Sequence, residues 1–597
     1  MKVNIISNFQ ANTGLSQDSN ILRGILTAVY GDNVQIFRIP YVFPQCQEAD
    51  VNIFLEVVNP SLFAYARRNI WIPNQEWTYK TWIPYMNMFD EIWVKTTEAR
   101  ECFNKASNYK ANVKYIGWSS IDKGWNPATV KKNYSKAIVP VGKNIFRNPK
   151  PIFQAYMRLK ASEPSIYSKL PVLYVIYSPA HINVYSPPEI SDKVILRGEV
   201  LPQDEYDELL KECGLCICLS AAEGFGHAVV EAMSVGCNLL LSPIKPFTED
   251  IIGQIQPGVY YGEVAATVEQ PEHIGCLVDT SVTSIIEMLT EYIDVSIKTK
   301  QENSTFIRDL YEHNHRTWVD RMKTILPVSL DPSLPAYTLN DVFPKEENLP
   351  DISILTITKD RRIFMPLAKY SYMIQSYPED KLEWVIVDDG DDPIEDTLIG
   401  VPNVKYVKCD PGMTISQKRN LAVESAMYDI MVTMDDDDVY PNNSVLHRVA
   451  MMLKEPVKQC GFCTTIPCYD ITKFSSFMNV PPMTLHMSER ISEATLVFTR
   501  QFWNEGKFDE KVQIGEGNAF IRGREQMCRE LSPQDVIVSL IHPKNTSSRK
   551  TPQLKEPNGC HYGFNEQLFA MVTQIGEELN TSCRRASACS RGDGASS

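Results

Sequence analysis

Short apolar runs alternate with longer amphipathic stretches along this chain. Val51–Leu55, Ile92–Val94, Val172–Tyr177, Leu215–Leu219, Asn238–Ser242, Trp384–Val387 and Ile430–Met434 have strand length and lack polar alternation, so they read as buried strands. The alternation predicts α/β domains with largely parallel sheets. Two runs look like domain starts. Val3–Ser7 leads through a turn to the amphipathic stretch Asn20–Tyr30, and Ile352–Thr358 leads to a loop and a helix-like stretch. Between them, residues 327–350 carry Pro327, Pro332, Pro335, Pro344 and Pro350 and read as an extended linker. The polar stretch Lys131–Ser135 precedes a new strand, Ala137–Val141. It divides the first domain, 1–326, into lobes of about 1–136 and 137–326 with a cleft between them. The second domain is expected at 351–565. Beyond it the pattern fades into small polar residues, and 566–597 reads as a disordered tail. In open α/β sheets ligands bind at the carboxyl ends of strands, so polar residues just after an apolar run are the candidates for function.

Composition narrows the classes. The chain has 597 residues and a net charge of −14, with 44% hydrophobic and 22% charged positions. The acidic balance argues against nucleic-acid binding, which needs clustered cations. The first residues, Met1–Asn8, do not read as a signal peptide, because their apolar stretch is short and runs straight into polar residues. No run has the roughly 20 apolar residues of a membrane span. The fifteen cysteines are scattered, and Cys213, Cys216 and Cys218 fall in an apolar run. They read as buried thiols of a soluble cytoplasmic protein. Cys460-Gly-Phe-Cys463 has no second metal-binding pair nearby and reads as a core position beside a strand.

In the C-terminal half, Ile430–Met434 runs into Asp435-Asp436-Asp437-Asp438. Four adjacent carboxylates repel, and a divalent cation at a strand end relieves that repulsion. Oxygen ligands favour magnesium or manganese, and such a cation can stabilise a departing diphosphate. A solvated acidic turn is the alternative. Trp384–Val387 ends similarly in Asp388-Asp389-Gly390. Lys418-Arg419-Asn420 offers cations and helix amides to phosphates. Gly515-Glu516-Gly517 presents a candidate general base, and His542 a further candidate metal ligand.

In the N-terminal half, Leu219-Ser-Ala-Ala-Glu223-Gly224-Phe-Gly226-His227 leads to Glu231. The glycines permit a tight turn, and the following Val229, Val230 and Met233 predict a helix whose amides face an anion. Both glutamates can accept hydrogen bonds from sugar hydroxyls. Upstream, Lys143, Arg147 and Lys150 follow another strand and are candidates to hold a diphosphate without a metal. Six of the nine tryptophans, Trp71, Trp77, Trp82, Trp93, Trp118 and Trp125, lie in the first lobe. Most are expected in the core, with one or two facing the cleft.

Taken in order, Thr356 and Thr358, Val387-Asp388-Asp389-Gly390, Lys418-Arg419-Asn420, Met434–Asp438 and Gly515-Glu516-Gly517 resemble family 2 glycosyltransferases of GT-A fold. The spacing of Glu223 and Glu231 within E-G-F-G-x-x-x-x-E-A resembles the donor lobe of family 4 glycosyltransferases of GT-B fold. These resemblances imply a two-lobed Rossmann-like GT-B domain followed by a GT-A domain, both using nucleotide-sugar donors. In the GT-A part they imply Asp435 and Asp437, with Asp438 close, as holders of manganese or magnesium. Asp388 would then bind the nucleotide, and Glu516 would deprotonate the acceptor in an inverting transfer. In the GT-B part they imply Glu231 on the donor ribose, Glu223 near the donor sugar, and a retaining, metal-independent transfer. The acceptor is expected to be a glycan, lipid or protein. The Gly-rich loop expected near the N-terminus is reduced to Asn12–Ser16. An alternative therefore stands, in which only the C-terminal domain is catalytic and the N-terminal half is a glycan-binding or scaffold module. A nucleotidyl- or phosphotransferase is a second alternative, disfavoured because two distinct sugar-transfer patterns would have to coincide.

Overall fold

The computed structural model of the chain describes residues 1–7, 14–40, 47–58, 60–178, 184–198, 201–253, 255–270, 273–331, 333–334, 343–454, 457–479, 481–482, 485–512, 514–531, 533, 536–545 and 564–589. It forms two compact units. The first comprises Met1–Arg38, Glu48–Val57 and Arg68–Pro335, and the second Ile39–Gln47, Val58–Arg67 and Ala336–Ser597.

The first unit contains two six-stranded sheets. One has strands β1 (Lys2–Ser7), β2 (Gln35–Pro40), β3 (Ala49–Leu55), β4 (Ala66–Ile72), β5 (Glu91–Val94) and β6 (Val113–Tyr115) in the order β2-β1-β3-β4-β5-β6. The other has β7 (Asn133–Gly142), β8 (Val172–Tyr177), β9 (Val194–Arg197), β10 (Cys213–Cys218), β11 (Asn238–Leu241) and β12 (Val259–Tyr261) in the order β12-β11-β10-β7-β8-β9. The pairings β1–β3, β4–β5, β7–β8 and β10–β11 are parallel. Every residue of β10 and β11 is buried, which explains their unbroken apolar runs: helices cover both faces of a parallel sheet. An antiparallel hairpin, β13 (Val264–Glu269) with β14 (Cys276–Thr280), follows.

Helix Ile297–Ser329 corrects the sequence reading at Pro327, which lies inside the helix instead of opening a linker. Proline removes one hydrogen bond and crowds the preceding turn, but Trp318, Met322, Leu326 and Leu330 are buried in the core across that point. Of the expected linker, Pro332 and residues 335–342 lie outside the described residues.

The second unit is built on β15 (Ile352–Thr358), β16 (Leu382–Asp388), β17 (Val404–Lys408), β18 (Ile430–Thr433), β19 (Cys460–Phe462), β20 (Ile466–Asp470), β21 (Ser475–Asn479), β22 (Val497–Thr499), β23 (Cys528–Glu530) and β24 (Ser539–Ile541). The main sheet runs β17-β16-β15-β18-β22-β19-β23, and a small sheet runs β21-β20-β24. β17, β16, β15 and β18 are parallel, but β22 is antiparallel to both β18 and β19. The sheet is therefore mixed, where the sequence pattern predicted a largely parallel one.

Glu566–Cys589 is a helix, which corrects the expected disorder of that stretch. Leu568, Val572, Ile575 and Leu579 are buried against Phe364, Tyr469 and Leu540. A Cβ on Gly576 would collide with the Ile471 carbonyl, so the glycine permits the helix to approach that closely. Residues 590–597 lie outside the described residues.

Candidate functional sites

In the first unit, the candidate residues gather at the carboxyl ends of the parallel strands. Gly226 has φ +118° and starts helix His227–Ser234. A side chain there would be strained and would strike Phe247. Arg147, five residues beyond β7, grips Glu223 with two bonds, Nε to Oε1 at 2.6 Å and Nη2 to Oε2 at 3.0 Å. Such bidentate pairing fixes both side chains. Burial disfavours the guanidinium charge, but Glu223 outweighs it and raises the Arg147 pKa. Glu231 accepts from Gln17 Nε2 at 2.6 Å and lies 3.6 Å from Lys123 Nζ. Gly224 abuts the Asn74 side chain. Lys143 is half-buried just after β7, and Lys150 is exposed at the start of helix Lys150–Ser162. The structure thus joins Arg147, alone of the three cations, to a candidate glutamate.

His227 belongs to a chain of polar groups. Its Nε2 meets Asp18 Oδ1 at 2.9 Å. Asp18 Oδ2 accepts from Lys95 Nζ at 2.5 Å, and Lys95 also donates to Asn74 Oδ1 at 3.1 Å. Asn74 Nδ2 in turn donates to Glu56 Oε2 at 3.0 Å. Burial pushes Asp18 up, but Lys95 and His227 prevail and hold its pKa at about 2. Burial raises Glu56 to about 7 and Glu76 to about 8. Glu76 Oε2 is buried without a hydrogen bond. Glu56 itself sits at φ 65°, a backbone conformation that carries strain for a non-glycine residue.

The sequence reading did not single out Asp18, Glu56, Asn74, Glu76 or Lys95. Glu56 directly follows β3, Lys95 directly follows β5, and Asn74 and Glu76 lie just past β4. The strand-end rule that flagged the glutamates would have found these too. Of the six tryptophans, Trp71, Trp82, Trp93, Trp118 and Trp125 are buried. Trp77 is partly open and packs on Phe146 with ring centroids 4.7 Å apart. Asn12 and Thr13 of the reduced N-terminal loop lie outside the described residues.

In the second unit, Asp435–Asp438 follow β18. Their side chains divide by role. Asp436 is fully buried and accepts from Thr358 Oγ1 at 2.5 Å and Arg361 Nη1 at 2.9 Å. Asp438 Oδ1 accepts from the Leu540 amide at 2.9 Å. Asp437 Oδ2 receives Arg361 Nη1 at 2.6 Å and His542 Nε2 at 3.1 Å. Asp435 has its side chain 26% exposed, and its Oδ1 accepts no hydrogen bond, with Arg419 Nη2 3.7 Å away. Burial raises the Asp435 pKa. Burial also raises Asp437, but His542 and Arg361 overcome it and lower the net value.

Arg419 also donates from Nε to Glu516 Oε1 at 2.8 Å. The candidate base and the carboxylate cluster therefore share one guanidinium. Helix Ile415–Ser425 positions Arg419. Thr414 caps it, with Gln417 completing a capping box, an arrangement that satisfies end amides reciprocally. The helix starts three residues before Lys418, so Lys418 and Arg419 act through their side chains rather than as its first amides. Lys418 Nζ donates to Asp389 Oδ1 at 2.7 Å.

Three other candidates are tied into the protein frame. Asp388 accepts from the Gly390 amide at 2.8 Å and the Tyr406 hydroxyl at 2.8 Å. Asn420 bonds Phe508 and Trp503, and Thr356 donates to the Met434 carbonyl at 2.6 Å. Arg361, three residues past β15, was missed by the sequence reading, although it too follows a strand end.

Among the described residues, no three His, Cys, Asp or Glu side chains are gathered to chelate a metal as they stand. The donor chemistry still fits a divalent cation. Asp435 supplies a free buried oxygen, with Asp437 and His542 adding oxygen and imidazole nitrogen donors.

Residues 188–268 match the model of glycosyl transferases group 1, and residues 367–515 match that of glycosyl transferase family 2. No curated protein matches the chain. Among solved structures, it is similar to mannosyltransferase PcManGT from Pyrobaculum calidifontis in complex with GDP-Man and Mn2+, at 16% identity and a TM-score of 0.27, covering 34% of this chain and 61% of that one. It is also similar to S. aureus TarS, at 16% identity and a TM-score of 0.27, covering 32% and 60%. A third similarity is to sucrose-phosphate synthase from Thermosynechococcus elongatus, at 9% identity and a TM-score of 0.40, covering 56% and 100%. The chain spans about 60% of the length of the first two. No helix among the described residues is long and apolar enough to cross a membrane.

Proposed function

We propose that this chain, which matches group 1 and family 2 glycosyl transferases in tandem, transfers sugars with both domains from nucleotide-sugar donors to a glycan, lipid or protein acceptor. The observation that carries this is that each unit holds its own carboxylate–cation cluster at the carboxyl ends of its parallel strands. Arg147–Glu223 and Glu231 form one, and Asp435–Asp437 with Arg419–Glu516 form the other.

In the family 2 domain, Asp435, Asp437 and His542 would hold manganese or magnesium, which when bound neutralises diphosphate charge. Asp438 supports the cluster through Leu540. Support for the 435/437 register comes from Asp436, which is fully buried and bonded by Thr358, whereas Asp435 keeps an oxygen unbonded by the described residues. Arg419 orients Glu516, which takes the acceptor proton as that hydroxyl attacks with inversion. Asp389 and Lys418 sit at the same strand ends for the nucleotide. In the group 1 domain Arg147 steadies the departing diphosphate, and Glu231 accepts from the ribose hydroxyls. This transfer would be metal-independent and retaining. Tethering keeps one domain's product concentrated near the other. The buried thiols Cys213, Cys216 and Cys218 in β10 support a reducing, cytoplasmic setting.

A second reading also has an observation in its favour. Glu223 and Glu231 are already engaged by Arg147 and by Gln17 with Lys123, which suits a first unit that binds glycans without transferring sugars. NMR of the products distinguishes the two readings. One retained and one inverted anomeric linkage, with only the inverted one abolished by chelator, supports two transfers. Inverted linkages alone would leave the first domain as a binding module.

A further inference from the structure

The second sheet of the first unit has another opening at its amino-terminal edge. Strand β7 starts there at Asn133 and ends at Gly142. At ~3.3 Å per residue the strand separates this edge from the Arg147–Glu223 cluster by about 30 Å. A cavity of about 590 Å³ lies at this edge, lined by Lys131, Lys132, Lys169 and Lys300, with Glu212 the one carboxylate in the wall among the described residues. Glu212 is already paired with Lys136 at 2.7 Å. Among the described residues, Lys131, Lys169 and Lys300 form no ion pair, and Asp294 is the one carboxylate whose charge acts on Lys300.

Lys300 is the decisive residue. It is 6% exposed, and its ammonium lies over the Tyr292 ring at 4.2 Å. It makes no salt bridge or hydrogen bond to a side chain among the described residues. Burial lowers its pKa, and the Asp294 charge offsets that only in part. A charged group held this way costs stability unless something compensates it. Lys132 differs, because its Nζ is spent on the carbonyls of Leu210 and Cys213. Helix Ile297–Ser329 begins at this same wall, and the positive end of a helix adds to the field that favours an anion.

We propose that this cavity binds a phosphate-bearing ligand of sugar-phosphate size, with Lys300 on the phosphate and Lys131 and Lys169 at the mouth. Ammonium groups on flexible stems are effective point-charge partners for phosphate. The volume falls within the usual range of small-molecule sites, roughly 300–1,000 Å³, and exceeds what inorganic phosphate alone fills. The ligand is either a free sugar phosphate or a phosphorylated unit within a longer acceptor chain.

Calorimetry on the full-length protein tests this with glucose 6-phosphate, glucose, inorganic phosphate and a phosphorylated oligosaccharide. The expected result is binding of glucose 6-phosphate but not glucose, weakened about tenfold or more by Lys300→Gln and several-fold by the exposed Lys169→Gln, and unchanged in Glu231→Ala. Tighter binding of the oligosaccharide than of glucose 6-phosphate would identify the chain-borne source, and the reverse the free metabolite. Absence of binding for every phosphate probe would overturn the proposal. So would binding that survives both lysine variants, or that disappears in Glu231→Ala.

Discussion

Asp436 and Asp437 are adjacent carboxylates whose surroundings differ. Thr358 and Arg361 hold Asp436 inside the protein, whereas Asp437 also faces His542. Arg361 contacts both and supplies the positive charge that a buried carboxylate cluster needs. The same logic makes Glu76 a pH-sensitive element of the first unit. Its carboxyl is buried, one oxygen lacks a partner, and its pKa is about 8. A carboxyl whose folded pKa exceeds its unfolded value adds stability below the unfolded pKa, and that contribution is lost as pH rises through the folded value. At ~1.4 kcal/mol per pKa unit, the loss between pH 4.5 and 8 is about 3 to 5 kcal/mol. Glu76→Gln should flatten the fall in stability of the first unit over that window, read by thermal unfolding at several pH values. A slope equal to that of wild type would mean that Glu76 is ionised in the folded protein.

Much of the candidate cluster in each unit was legible at this scale, because residue chemistry and strand-end position coincided. Glu223, Glu231, Asp435 and Glu516 lie in patterns with distinctive spacing. Arg361, Glu56 and Lys95 are single polar residues after strands, and only the fold reveals which carboxylate each one meets. Asp388 and Asn420 are candidates that the fold also engages itself. Their residue types suit ligand binding, but Tyr406, Trp503 and Phe508 engage them within the protein.

At the scale of elements, periodicity located the strands well. Val172–Tyr177 is β8, and Ile430–Met434 contains β18. Strand direction was not readable, because β22 is short and buried whichever way it runs. Two helices were misread for identifiable reasons. Pro327 usually ends a helix, but a packed core face carries this one on for two more residues. In Glu566–Cys589, the small polar residues masked an apolar face at 568, 572, 575 and 579, a spacing of four, three and four that is itself helical. The helix that matters most to the site is Ile415–Ser425, since it aims both Lys418 and Arg419. Thr414→Ala removes its cap and should cost about 1 kcal/mol. Urea unfolding of the second unit would register that loss, and an unchanged midpoint would show that packing alone fixes the helix.

At the scale of the whole molecule, one polypeptide carries a stretch that matches group 1 glycosyl transferases and another that matches family 2. In the proposed scheme one cluster would use protein cations, and the other would use carboxylate and imidazole donors to hold a divalent metal. With both active, their requirements separate cleanly, since each cluster draws its residues from its own unit. The most direct measurement is release of nucleoside diphosphate from a panel of nucleotide sugars, with manganese and with chelator, by wild type, Glu231→Ala and Asp437→Ala. The account predicts two donor activities. One is lost with chelator and in Asp437→Ala by about 100-fold or more, and the other persists in chelator and is lost in Glu231→Ala. A single metal-dependent activity that Glu231→Ala leaves intact would contradict it.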